Sequence, residues 1–237
     1  TVTIDAAVSL DQTVIQNNAI LVKDNADLTI NNGAGIDLEI QDGGLFRHAT
    51  TTGDAATFVD ESEVWVRTGG TIEVTQTAGG PSVYGTGPNM FYETDAVFDY
   101  RTNNPFLTSN VTYFQNAGPT VIPIFRLSVN LSLPVGAGVG NNTTINGLFE
   151  ANGNVTWQNE GIKTFRNGIT GTGTVTQSSN CGQFRINGTT SQLGVATLTL
   201  RNDVNSGLAL QAGTCTLSAP VVANSGPIYI DNGAVMI

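Results

Sequence analysis

The stretch ADLTINNGAGIDLEIQDGGLF, Ala26 to Phe46, decides the fold. In Leu28-Thr29-Ile30 and again in Ile36-Asp37-Leu38-Glu39-Ile40, apolar and polar residues alternate. Every second side chain therefore points to one face, as a half-buried strand requires. Between these runs stand Asn32-Gly33 and Gly43-Gly44, residue types that reach positive φ at little steric cost and so make sharp corners. Strands this short bury too little apolar surface alone. They must stack, and the nearest partner is the next copy of the same pattern.

The far end repeats the rhythm, with strand cores at Leu198/Leu200, Leu208/Leu210, Cys215/Leu217, Val221/Val222, Ile228/Ile230 and Val235/Ile237. This spacing suits one side plus one corner of a three-sided β-coil. Antiparallel hairpins compete, because Asn-Gly between alternating strands is also a hairpin signal. The corner chemistry recurs along the chain, and no window shows the 3.6-residue period of a helix, which favours the coil. The expectation is an all-β, right-handed parallel β-helix, a single solenoid over 1–237. The chain stops at Val235-Met236-Ile237, inside a strand pattern. That suggests a larger parent protein or end-to-end stacking of copies.

Composition narrows the partners. The formal charge is −10, and the nine Lys and Arg residues are scattered singly, whereas a nucleic-acid surface needs them clustered. No run approaches the eighteen or so apolar residues that span a bilayer, and the start has no basic segment followed by an apolar one. Neither nucleic acid nor membrane insertion is expected.

The rhythm breaks at about 81–123, where five prolines and many aromatics gather. Insertions in solenoids emerge as loops on one face, and irregular loops carry function. An irregular insertion or lip is expected there, with Tyr92, Glu93, Asp95, Phe98, Asp99 and Tyr100 as the first ligand-binding candidates. The competing reading puts these aromatics in a wider stretch of core.

Other groupings carry less chemistry. Asp24 to Asp27 and Asp60 to Glu63 offer oxygen ligands that calcium would accept, but neither has the spacing of a known calcium loop; solvated turn charges explain them more simply. His48 is the single histidine, has no partners for a triad or zinc site, and is expected on the surface. Asp37, Glu39 and Asp42 with Arg47 are the best set for carboxylate catalysis, yet look like ordinary outward positions. Cys181 and Cys215 allow one disulfide in an oxidising compartment, although Cys215 alternates like a core residue. Six Asn-x-Ser/Thr sequons are close to the roughly four or five that chance gives and do not establish glycosylation, though they are compatible with a secreted location.

At FRLSVNLSLPVGAGVGNNTTINGLFEANGNVTWQNEGIKTFRNGITGTGTVTQSS the chain resembles the repeat units of very large secreted surface proteins of Bacteroidota-type bacteria, which look like right-handed parallel β-helix adhesins. VTIDAAVSLDQTVIQNNAILVKDNADLTINNG is similar. The resemblance implies export, display at the cell surface, and adhesion or fibre building, and maps no catalytic residue. The expected function is therefore a non-enzymatic adhesin stalk or fibre subunit. Its partners would be copies of itself, the rest of a larger surface protein, and glycans. The alternatives are a carbohydrate-active β-helix of the lyase, hydrolase or phage-tailspike kind, which needs paired carboxylates in a cleft, and a sugar-binding module, which needs exposed aromatics on one face.

Overall fold

The computed structural model describes residues 1–51, 56–58, 62–75, 77, 90–102, 122–133, 143–158, 161–178, 181–203, 206–222 and 226–237. They fall into two compact units, 1–102 with 122–124, and 125–237. Among the described residues the regular elements are all strands, stacked in parallel as a β-solenoid, and no helix is long and apolar enough to cross a membrane.

In the first unit the strands are β1 (Val2–Ile4), β2 (Val8–Leu10), β3 (Thr13–Ile15), β4 (Ile20–Lys23), β5 (Leu28–Ile30), β6 (Leu38–Ile40), β7 (Leu45–His48), β8 (Ala56–Phe58), β9 (Val64–Val66), β10 (Thr71–Val74), β11 (Met90–Tyr92) and β12 (Val97–Tyr100). Each of the first three turns gives one strand to each of three sheets, which among the described residues run β1-β4-β7-β10-β12, β2-β5-β8 and β3-β6-β9-β11. The pairing is parallel and in register. Along the first sheet Val2 lies beside Leu21, Leu21 beside Phe46, Phe46 beside Ile72 and Ile72 beside Phe98, so a turn takes 19 to 26 residues. Alternation sends Leu21, Phe46, Ile72 and Phe98 inward, where like stacks on like.

The double-glycine corners have a steric cause. Asn18, Gly43, Gly69 and Asp95 all have positive φ, between 61° and 75°. They stand two residues before the register positions Ile20, Leu45, Thr71 and Val97, so one left-handed corner recurs in four successive turns. The glycines that follow are close to the neighbouring turn: a Cβ on Gly44 would lie 2.4 Å from the carbonyl oxygen of Ile15, and on Gly70 2.5 Å from that of Ile40. Any side chain there would push the turns apart.

The second unit carries β13 (Ile124–Leu127), β14 (Leu131–Leu133), β15 (Thr143–Ile145), β16 (Leu148–Ala151), β17 (Val155–Trp157), β18 (Lys163–Phe165), β19 (Gly168–Thr170), β20 (Thr174–Gln177), β21 (Phe184–Ile186), β22 (Thr190–Gly194), β23 (Thr197–Thr199), β24 (Leu208–Leu210), β25 (Thr214–Leu217), β26 (Val221–Val222), β27 (Ile228–Ile230) and β28 (Val235–Met236). Its sheets are β13-β16-β19-β22-β25-β28, β14-β17-β20-β23-β26 and β15-β18-β21-β24-β27. Phe125, Phe149, Trp157, Phe165 and Phe184 fill its core, with the Phe149 ring centroid 5.4 Å from Phe165 and 5.9 Å from Trp157.

Asparagines at one corner of this unit relay hydrogen bonds from turn to turn. The Asn130 Oδ1 accepts from the Asn154 backbone N–H at 2.8 Å, and the Asn154 Oδ1 from that of Thr174 at 3.1 Å. The inward polar residue Gln177 is fully used: its amide donates to the carbonyls of Gly182 and Gly207 and accepts from the N–H groups of Arg201 and Gly207, as burial of a polar group requires.

Candidate functional site

The outer face of the β3-β6-β9-β11 sheet concentrates the chemistry of the first unit. Register aligns Val14, Glu39, Trp65 and Phe91 on successive turns. Because the chain alternates, these side chains stand outside while Ile15, Ile40 and Val66 stand inside. Trp65 and Phe91 stack with centroids 4.7 Å apart and planes 24° from parallel, and Phe91 remains 40% exposed. The Arg67 guanidinium carbon lies 4.4 Å from the centre of the Trp65 ring, a cation–π contact.

Arg67 also ties three turns together. Its Nε meets a Glu39 carboxylate oxygen and its Nη1 a Glu93 oxygen, both at 2.6 Å. The second Glu93 oxygen accepts from the Thr68 backbone N–H at 3.2 Å. The Arg67 hydrogen bond, helped by that N–H, lowers the pKa of Glu93, and the two glutamates raise that of Arg67. A carboxylate held ionised in this way is a poor proton donor. The face is chemically suited to contact, through aromatic edges and a fixed charge lattice.

The six residues singled out in the sequence land in different places. Tyr92 continues the inward column after Val66 and is half-buried. Glu93 belongs to the Arg67 lattice. Asp95 is exposed but is a left-handed corner residue. Phe98 and Tyr100 are inward and almost fully buried, and Asp99, although on the outward column, is buried beneath Arg101, whose Nε lies 2.8 Å from its Oδ2. The structure thus brings Glu93 alone of the six into the charge lattice and turns Phe98 and Tyr100 into core. Residues 90–102 form ordinary rungs; of the rest of the expected lip, 122–123 are described and 81–89 and 103–121 lie outside the described residues.

Trp65, Arg67 and Phe91 escaped the sequence reading. The signal was present, since Glu39, Trp65 and Phe91 are spaced by one 26-residue turn, but it needs the turn length to be known.

The expectations on other groups are revised. His48 is not at the surface: it is fully buried, on the inward column of Lys23, His48, Val74 and Tyr100. The even alternation of Leu45-Phe46-Arg47-His48 places it there. Asp37 is buried too, its oxygens accepting from the backbone N–H groups of Gly33 and Glu63 at 2.7 Å each, so it clips one turn to the next. Desolvation, then its hydrogen bond to Asp37, raises the pKa of Asp11. Cys181 and Cys215 are free, buried thiols. Cys215 occupies a column between Ser191 and Met236. Cys181 lies near Lys163, and burial pushes its thiol up to about 12 and the Lys163 ammonium down to about 8. Lys163 sits inward, its Nζ donating to the Gly161 carbonyl at 3.0 Å. Among the described residues no three His, Cys, Asp or Glu side chains gather to hold a metal ion; Asp60 and Glu61 of the calcium grouping lie outside them.

No protein-family model matches this chain, and no curated protein matches it.

Proposed function

We propose that this chain is a non-enzymatic structural and adhesive segment of an extracellular or cell-surface protein, a stalk or fibre unit that works alongside copies of itself or the rest of a larger surface protein and contacts glycans. The observation that carries this reading is where the side chains spend their bonding. Inside, Leu21, Phe46, Ile72 and Phe98 stack turn on turn. Outside, Arg47 meets Glu73, Arg67 meets Glu39 and Glu93, and Arg126 meets Glu150 across neighbouring turns. Chemistry-bearing groups are thereby committed to holding turns in register, which serves load and display rather than turnover.

The experiment is adhesion under flow. Beads coated with the protein are passed over glycan-coated and bare surfaces, while soluble polysaccharides are incubated with the same protein and assayed for new reducing ends or unsaturated products. Retention on glycan without product supports the reading. Product formed without retention supports the carbohydrate-active alternative.

A further inference from the structure

The second unit has an open groove of about 410 Å³ on the outer face of its β15-β18-β21-β24-β27 sheet, within the usual size of small-ligand sites, about 300–1,000 Å³. Its shape follows from register. Arg185, Ala209 and Tyr229 occupy one outward column on three successive turns. The middle residue is a methyl group, 3% exposed, so the column dips between a guanidinium on one side and a phenol on the other. Two strand spacings separate those walls, roughly 10 Å. Gln183, Gln211 and Asp231 line the edges.

Arg185 differs from the arginines of the charge ladders. Arg47, Arg67, Arg101, Arg126 and Arg201 each meet a carboxylate. Arg185 instead donates its Nε to the neutral Gln183 Oε1 at 2.8 Å, and on the adjacent turn, where a ladder would place a carboxylate, stands Ala209. Its guanidinium is thus held in orientation by an amide while its planar fork has no anionic partner among the described residues. A fork of that kind takes a carboxylate in bidentate fashion.

The remaining lining chooses among carboxylates. Tyr229 offers an apolar ring face with a hydroxyl at its tip. The Gln211 amide and the Asp231 carboxylate offer donors and acceptors of the kind that meet a row of hydroxyls. An apolar ring face, paired amides and one guanidinium over a 10 Å slot match a pyranose ring carrying a carboxyl group. We propose that this groove binds a sugar acid unit of an acidic saccharide, with Arg185 on the sugar carboxylate, Tyr229 against the ring and Gln211 and Asp231 on hydroxyls. This rests on the reading of the chain as an extracellular adhesive segment and names the ligand class for it.

The test is isothermal titration of the whole chain with trigalacturonate, a hyaluronan tetrasaccharide and sialyllactose, and with maltotriose and lactose as neutral counterparts. At least one acidic probe should bind, and Arg185→Gln should weaken it at least about tenfold, the value of a charge-assisted hydrogen bond. Arg166→Gln, at an exposed arginine outside the groove lining, should leave it unchanged. Ala209→Leu, which fills the dip from an outward position, should abolish binding with the far-ultraviolet spectrum preserved. The proposal is overturned if no acidic probe binds, if the neutral sugars bind equally well, or if Arg185→Gln behaves as Arg166→Gln does. Bead adhesion separates the two readings: retention that survives Ala209→Leu and Arg185→Gln overturns the groove alone, whereas absence of retention in the unaltered chain counts against the adhesive role itself.

Discussion

Phe149→Ala should be among the most damaging single changes in the second unit. Phe149 is fully buried and faces Phe125, Trp157 and Phe165 at centroid distances of 6.3, 5.9 and 5.4 Å. Truncating a buried Phe costs about 3–5 kcal/mol through lost transfer energy and the cavity left behind, and each aromatic contact adds about 0.5–1.5 kcal/mol beyond area. The three neighbours are fixed on separate strands and cannot collapse into the space, which places the cost near the upper end, about 4–5 kcal/mol. The chain has two tryptophans, one in each unit, so in a Trp65→Phe background Trp157 reports on the second unit alone. Urea unfolding followed by Trp157 fluorescence should show a large fall in midpoint with little change in slope. Phe91→Ala, at a 40% exposed position, should cost only about 1 kcal/mol by the same bookkeeping when followed through Trp65. If Phe149→Ala costs no more than Phe91→Ala, the aromatic core does not hold these turns.

Other outcomes follow from the same geometry. Gly168 has φ +98°, and a Cβ there would fall 2.0 Å from the backbone oxygen of Gln192, whereas Gly35 has the same φ with open space around it; Gly168→Ala should therefore destabilise well beyond Gly35→Ala, which bears only the backbone term of roughly 1 kcal/mol, as thermal melts will show. Burial lowers Lys163 from 10.5 to about 8 and raises Cys181 from 9.0 to about 12. Between pH 8 and 9 the unfolded chain keeps a proton on Lys163 that the folded chain has shed, so stability rises with pH; above pH 9 ionisation of unfolded Cys181 offsets that rise. Lys163→Met should remove the rise between pH 8 and 9 and leave a decline starting near pH 9, measured by urea midpoints across that range. Arg67 holds the Glu93 carboxyl below its ordinary range; the stability it contributes is present above that range and lost as pH falls through the folded value, so Glu93→Gln should flatten this part of the acid limb of the stability profile.

Much of the fold was legible because the β period is two and corners have their own residues. Leu28-Thr29-Ile30 and Leu38-Glu39-Ile40 became strands β5 and β6 as alternation requires, and Gly43-Gly44 became a corner that leaves no room for a side chain. The site was less legible, because position on a solenoid depends on register between turns as well as on the local pattern. Tyr92 and Phe91 are neighbours in sequence, yet register puts the first inward and the second outside beside Trp65. Asp95 reads as a ligand until Asn18, Gly43 and Gly69 are seen to share its corner. His48, expected at the surface, lies inside because its column runs inward, and Lys163 is buried in the same way. The Arg185 groove is a gap in a column, invisible until Ala209 is aligned between Arg185 and Tyr229.

Pulling the second unit between handles at residues 125 and 237 tests most directly whether turn-on-turn ladders are built to carry load. One turn of the β14-β17-β20-β23-β26 sheet takes 20 to 24 residues. If each turn is held mainly by its neighbours, extension should proceed as successive force peaks, each releasing roughly 65–85 Å of chain at about 3.3–3.6 Å per residue. Extension at low force without peaks, or release of the whole unit in one event, would contradict a stalk whose turns bear load one upon another.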